Sequence, residues 1–385
     1  MTTRKFTPGV AGEAVATDKK THKIRYAVVG LGHIAQVAVL PAFAHAGRNS
    51  DLTALVSDDP EKLRQLSRRY DVKLTYSYEQ YDDCLRSGDI DAVYIALPNN
   101  MHAEYSIRAA NAGVHVLCEK PMAVTERDCQ SMIRAARKHK VKLMIAYRLH
   151  FEEANLKAIE IVKSGKLGEP RIFNSLFGMQ VREGNIRTEA ELGGGTLYDL
   201  GVYCINAARH LFQNEPLEAF AYSAGSNDRR FKEIDEMTSA VLRFSQDRIA
   251  SFTTSFGAAD VASYEIIGTK GKLRVDPAYE YEMALKHSLT IDGKTTSRTF
   301  GRRDQFAPEL LYFSDCIRKD IEPEPSGEDG LADVRVVRAL YRAAEIRRPV
   351  KLGRVGLKKR PDLKQEKYRP PVTKPRLVRV KSASA

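Results

Sequence analysis

Asp199 and Tyr203 lie four positions apart in the stretch GGGTLYDLGVYCINAARHLF, residues 193–212. Leu197, Leu200, Ile205, Ala208 and Leu211 recur there at helical spacing, so the stretch reads as a buried helix that carries a carboxylate and a phenol on one face. Such a pair suits proton transfer. A phenol with an unperturbed pKa of about 10 is a poor base at neutral pH, but a nearby ammonium favours the phenolate. Lys120 is the candidate ammonium: it follows an apolar run in HVLCEKPMA, between Glu119 and Pro121. Taken singly, each residue has an ordinary structural use, because a buried Tyr finds a hydrogen-bond partner and an early-helix Asp caps.

The elements that must position these groups alternate at first. From Lys23 to about His150, short β-branched runs (IRYAVVG, LTALVS, DAVYIAL, HVLCEK, KLMIAY) alternate with helical ones (AVLPAFAHA, PEKLRQLSRRY, MHAEYSIRAANAG, ERDCQSMIRAARKHK). This rhythm predicts a parallel sheet covered on both faces, and it places Lys120 at the carboxyl end of a strand, where such sheets bind ligands. After residue 150 a helix, FEEANLKAIEIVKSG, leads to strand-like runs separated by SQD, GTKG and DGK, and then to two closing helices. Short turns between consecutive strands predict an open antiparallel sheet. The fold expected is α/β, a doubly wound Rossmann sheet followed by an α+β domain. The expected division is an N-terminal arm over 1–22, a dinucleotide domain over 23–150, a substrate and oligomerisation domain over 151–350, and a basic, disordered tail over 351–385.

The first strand runs into YAVVGLGHIAQVA, where Gly30, Gly32 and Ala35 form G-x-G-x-x-A directly before a helix. The first glycine permits the tight turn and the second lets the backbone approach a pyrophosphate. The small third residue lets helix pack on strand. His33 and Ile34 complete the loop whose backbone N–H groups would meet phosphate at the helix N-terminus. At the end of the second strand, in ALVSDDPEK, Ser57 stands where NAD enzymes place an acid, and Lys62 and Arg64 follow. A small hydroxyl with cations nearby accommodates a 2′-phosphate and favours NADP. NAD is the alternative if Asp58 or Asp59 holds the ribose instead of capping the helix.

Composition excludes several classes. The net charge of +12 resembles that of a nucleic-acid binder, but twelve Lys or Arg against two acids fall after residue 350, so the body is nearly neutral. Contact with RNA, an acidic partner or an anionic surface would therefore run through the tail, which is rich in proline and charge. Five scattered cysteines without paired spacing suggest reduced thiols in the core and neither a disulfide framework nor a metal site. No run of about 18 apolar residues and no signal-peptide core is present, and cytoplasmic residence is the expectation.

The segments VVGLGHIA, ALPNNMHAEY, HVLCEKPMAV and GGGTLYDLGVY, in that order, closely resemble the family of glucose-fructose oxidoreductase and inositol dehydrogenase, over about residues 23–348. The nearest likeness is to the sugar-oxidising branch. The resemblance implies hydride exchange between a sugar and a nicotinamide cofactor, and an open sheet that makes a homo-oligomer interface. It makes Lys120 the lysine of the EKP motif beside the reacting hydroxyl, with Asp199 and Tyr203 as its catalytic companions. Position 203 is histidine in many relatives and tyrosine in the glucose-fructose branch. Pro98, Asn99, His102, Glu119 and Arg148 match positions around the cofactor, His102 equally as a structural helix start.

The leading expectation is an NADP-dependent enzyme oxidising an aldose to its lactone, with Tyr203 as acid/base assisted by Lys120 and Asp199. Retained NADP serving two sugars in turn, a keto-sugar, anhydro-sugar or cyclitol substrate, and a nucleotide-sensing protein with the tail as effector arm are the alternatives. The short, proline-poor N-terminal stretch favours an exchangeable cofactor.

Overall fold

The computed structural model describes residues 22–353, 355–357 and 359–383; the expected N-terminal arm, residues 1–22, lies almost wholly outside the described residues. The chain builds two sheets. Strands β1 (Ile24–Val29), β2 (Ser50–Val56), β3 (Leu74–Tyr76), β4 (Ala92–Ile95), β5 (His115–Glu119) and β6 (Leu143–Ala146) form the first, in the order β3-β2-β1-β4-β5-β6 and all parallel. This is the doubly wound order, and its switch point lies between β1 and β4, beside the glycine loop. β1 and β4 are buried almost throughout, as strands covered on both faces must be.

The second sheet contains β7 (Pro170–Gly178), β8 (Glu218–Ala224), β9 (Met237–Arg243), β10 (Ile249–Ser255), β11 (Val261–Gly268), β12 (Gly271–Val275), β13 (Leu285–Ile291), β14 (Lys294–Phe300) and β15 (Val350–Lys351). Their order is β14-β13-β12-β11-β7-β10-β9-β8-β15. It is mixed and not purely antiparallel, because β7 and β10 pair in parallel, from Ile249 opposite Ile172 to Ser255 opposite Gly178. One face packs on the helices Glu153–Lys163, Val202–Leu211 and Gly327–Ile346 through Phe173, Leu242, Phe252 and Ile266. On the other face Ile172, Leu176, Tyr222, Val241 and Ile249 are exposed. The clean alternation in β9 follows from this one-sided burial.

The tail departs from its composition. Its backbone is extended, but it is laid along the body and bonded to it. Arg360 reaches Glu215 (2.7 Å), Glu366 pairs with Arg303 (2.8 Å) and Lys367 with Asp315 (3.3 Å). Lys374 pairs with Glu282 (3.1 Å) and Arg379 with Asp59 (3.2 Å). Arg360, Lys367, Lys374 and Arg379 thus meet acids of the chain's own surface. All five cysteines are buried and unpaired. No helix among the described residues is long and apolar enough to cross a membrane.

Candidate active site

Lys120 leaves the end of β5 through a cis bond to Pro121 and points at the helical stretch that carries Asp199. The glycine triplet is not part of that helix. Gly193 has φ +79°, and a Cβ there would lie 2.8 Å from the Asn99 side chain, so only glycine lets the stretch close on the loop after β4. Asn99 Nδ2 donates to Gly193 O at 2.8 Å and fastens the two. The helix then begins with a wide π-type turn, Leu197–Gly201, before becoming an α-helix over Val202–Leu211. Such turns are frequent at functional sites.

Lys120 Nζ donates to both Asp199 O (3.0 Å) and Asp199 Oδ1 (3.1 Å), and Arg187 Nε donates to the other carboxylate oxygen at 2.6 Å. Burial by itself would raise the Asp199 pKa, but the Arg187 and Lys120 cations hold it well below the usual carboxylate range. Burial would likewise lower the Lys120 pKa, but Tyr203, Asp199 and Glu119 outweigh it and raise it above the ordinary value. Lys120 is therefore an ammonium at neutral pH. It stands over the face of the Tyr203 ring, 4.6 Å from its centroid. The phenol oxygen accepts from Arg148 NH2 at 3.2 Å, and Arg148 is itself fixed by the Gln305 side chain and the Tyr279 carbonyl.

Two cations thus face one phenol while the single carboxylate is consumed by Lys120 and Arg187. A buried ion pair is weak evidence for stability, because desolvation offsets attraction. What this arrangement supplies is fixed positive charge beside the phenol oxygen and ring. Arg148, matched in the sequence to the cofactor surroundings, belongs on the structure to the phenol. Arg187 is not signalled by the sequence: it sits in an irregular segment between β7 and the wide turn, with no spacing to link it to Asp199.

The remaining expected residues divide into two groups. Gly30 has φ +90°, and a Cβ there would fall 2.6 Å from Ala96 O, so the tight turn requires glycine. Gly32 has nothing within 4 Å of a virtual Cβ, which leaves its backbone open to a ligand. Ala35 is fully buried against the sheet, Ile34 is partly buried, and His33 has a buried Nε2 with no hydrogen-bond partner. An open backbone with an unpartnered polar atom beside it fits a polar group seated at this helix N-terminus, as a dinucleotide would be. Ser57 Oγ accepts from Asp59 N at 3.2 Å, and Asp59 caps the next helix through Glu61 N and Lys62 N. Asp58 accepts from Tyr78 N at 2.7 Å. Both acids therefore have structural partners, and Lys62 is the third residue of the helix Pro60–Arg69.

His102 and Glu119 are buried and hydrogen-bonded within the fold. His102 is buried with Nδ1 2.8 Å from Pro121 O and Nε2 2.9 Å from Leu97 O, tying the loop after β4 to the Lys120 turn. Burial lowers its pKa despite these carbonyls. Glu119 turns into the core, accepting from Tyr94 OH at 2.8 Å and from Lys120 N at 3.3 Å, and burial raises its pKa. Pro98 precedes the short turn Asn99–Met101 that carries Asn99 to the glycine triplet.

Behind Tyr203 a cavity of about 30 Å³, room for a water or two, is lined by His150, Asn206, His210 and Tyr264 among others. His150 Nδ1 pairs with Glu324 at 2.9 Å, and its Nε2 meets Asn206 Oδ1 at 2.7 Å. Burial lowers the His150 pKa, but Glu324, with Asp329 and Asn206, outweighs it and it is pushed up to about 9. His150, His210 and Asp329 could together approach a cation, but Arg209 lies against Asp329 at 2.7 Å and supplies positive charge already.

A doubly wound sheet with an open glycine loop at its switch point, facing a phenol between cations, defines the chain as a nicotinamide-dependent oxidoreductase. Residues 24–147 match the oxidoreductase family with an NAD-binding Rossmann fold, and residues 155–274 match the GFO/IDH/MocA C-terminal domain. The chain belongs to the GFO/IDH/MocA family and is an NAD(P)-dependent oxidoreductase.

Among its relatives, the D-xylose 1-dehydrogenase [NADP(+)] of Haloarcula marismortui is 32% identical over 88% of this chain and 95% of its own. The crystal structure of aldose-aldose oxidoreductase from Caulobacter crescentus, complexed with glycerol, is 38% identical with a TM-score of 0.82, over 86% of this chain and 100% of that one. A 3-ketoreductase from Actinomadura kijaniata, solved with NADP and TDP-benzene, is 27% identical with a TM-score of 0.76, over 84% and 98%.

Proposed function

We propose that the protein oxidises an aldose at its anomeric carbon to the lactone, with NADP as the hydride acceptor. When bound, the nicotinamide supplies the hydride-accepting carbon. As the hydride leaves the anomeric carbon, the hydroxyl proton passes to the Tyr203 oxygen and the carbon–oxygen bond becomes the lactone carbonyl. Arg148 at the phenol oxygen and Lys120 over its ring stabilise the deprotonated phenol before transfer. Asp199, neutralised on both sides, holds Lys120 and Arg187 in place. The single observation that carries this reading is the phenol of Tyr203 between two fixed cations at the crevice.

NADP is favoured over NAD because Asp58 and Asp59 are engaged by backbone N–H groups, leaving Ser57 just after β2 and Lys62 in the first turn of the next helix. The relatives named with NADP point the same way. The exposed apolar residues on the open face of the second sheet support a homo-oligomer closed through that face. The test is to follow reduced nicotinamide formation across a panel of aldoses, keto-sugars and cyclitols with NADP and with NAD, identifying the product. Lactone formation from an aldose supports the reading; turnover confined to cyclitols or to ketone reduction overturns it.

A further inference from the structure

The last stretch of the tail runs along the dinucleotide half of the molecule. Arg376 O accepts from Arg69 NH1 at 2.7 Å, near the end of the helix Pro60–Arg69. Val378 is buried and is paired in both directions with the side-chain amide of Gln36: its N–H donates to Gln36 Oε1 (2.8 Å) and its carbonyl accepts from Gln36 Nε2 (3.0 Å). The same Gln36 Nε2 donates to Leu31 O, inside the glycine loop, at 3.0 Å. Arg379 then takes a left-handed conformation, φ +50°, and its guanidinium meets Asp59 at the opposite end of that helix. Four residues later Ala383 is buried and accepts from Arg182 N at 2.9 Å.

These contacts lie on both sides of the crevice. Gln36 and Asp59 belong to the Rossmann half, beside the glycine loop and the end of β2, whereas Arg182 follows β7 and opens the segment that carries Arg187. Four residues of extended chain span roughly 13 Å. The strap therefore passes from the adenosine end of the dinucleotide site to the substrate half.

The Arg379–Asp59 pair is exposed on the arginine side, and such pairs contribute little. It is a weak anchor beside Val378. Arg379 stands next to the Asp59–Ser57 turn, where the sequence places a 2′-phosphate. A doubly charged phosphate is a stronger bidentate partner for a guanidinium than a carboxylate already capping a helix.

We propose that residues 376–383 form the outer wall of the dinucleotide site, with Arg379 binding the adenosine 2′-phosphate and the strap retarding cofactor exchange. This rests on NADP being the cofactor. It also bears on the alternation of two sugars on one retained cofactor, which a slowly exchanging dinucleotide permits.

The test uses the full chain and dinucleotide binding without any sugar. In Arg379→Gln, NADP affinity falls about tenfold while NAD affinity stays within about twofold, since only NADP carries the phosphate. In Val378→Asp, displacement of bound NADP by excess competitor speeds up at least about tenfold, because a carboxylate replaces the buried anchor. Equal losses for NADP and NAD in the first variant, or unchanged release in the second, overturn the strap. A wild-type chain that binds NAD and not NADP overturns the cofactor reading, whereas NADP binding indifferent to both variants overturns the strap alone.

Discussion

The ammonium of Lys120 lies over the face of the Tyr203 ring, 4.6 Å from its centroid, and its hydrogen bonds go to Asp199. The group that bonds the phenol oxygen is Arg148. The contacts to Tyr203 are therefore divided: Lys120 lies over the ring and Arg148 bonds the oxygen.

Removing the phenol oxygen tests its role as acid/base. Tyr203→Phe keeps the ring that packs against Phe177 and Tyr279, so folding and dinucleotide affinity hold while kcat falls by about 10²–10⁴. Single-turnover nicotinamide reduction checks this, and full turnover in the variant would remove Tyr203 from the mechanism.

The two loop glycines separate folding from binding. Gly30→Ala puts a Cβ against Ala96 O at positive φ and lowers thermal stability together with cofactor affinity. Gly32→Ala meets open space, so stability changes by no more than about 0.5 kcal/mol while dinucleotide affinity drops. Paired melting and titration curves report both.

Asp199 carries a pH signature. Its folded pKa lies below the unfolded one, so its contribution is fully present above about pH 5 and is lost as pH falls through the folded value. Asp199→Asn leaves Lys120 and Arg187 without their partly buried counter-charge and costs about 1–3 kcal/mol near neutrality. The gap between wild type and variant narrows on acidification, as denaturant melts at stepped pH would record.

His150 has the opposite sign. Its folded pKa of about 9 exceeds the unfolded value, so the His150–Glu324 pair stabilises fully below about pH 6.5 and fades as pH rises through 9. Substituting His150→Gln flattens the alkaline loss of stability; an unchanged alkaline limb would show that the ring is neutral when folded.

The apolar patch on the open sheet face yields an assembly prediction. Ile172 and Ile249 are register partners across β7 and β10, 42% and 47% exposed. Ile249→Asp places charge at the centre of that face and shifts the protein to a smaller species in light scattering. Unchanged mass would move the oligomer contact elsewhere.

Much of the fold was legible because it follows local rules. Alternating apolar runs gave the parallel sheet, and G-x-G-x-x-A marked its ligand edge, since both depend on residues a few positions apart. The strands β3, β8, β14 and β15 are not legible in the sequence: β3 and β15 are three and two residues long, β14 is exposed along nearly its whole length, and β8 buries only alanines, so none of the four carries a strong apolar pattern. Asp199 and Tyr203 were found through helical spacing even though the wide turn between them breaks the regular helix.

The sequence by itself determined the two-sheet plan and the glycine loop, and it singled out Lys120, Asp199 and Tyr203 as candidate chemical groups. Only the tertiary structure decided their wiring. Arg187 reaches Asp199, Arg148 reaches the phenol, and Arg379 comes to the end of β2 from 320 positions away. The physical reason is that a long basic side chain reads alike on a solvated surface and beside a buried acid. Its role is set by which carboxylate or oxygen the folded chain brings within hydrogen-bond reach, and no spacing rule carries that information.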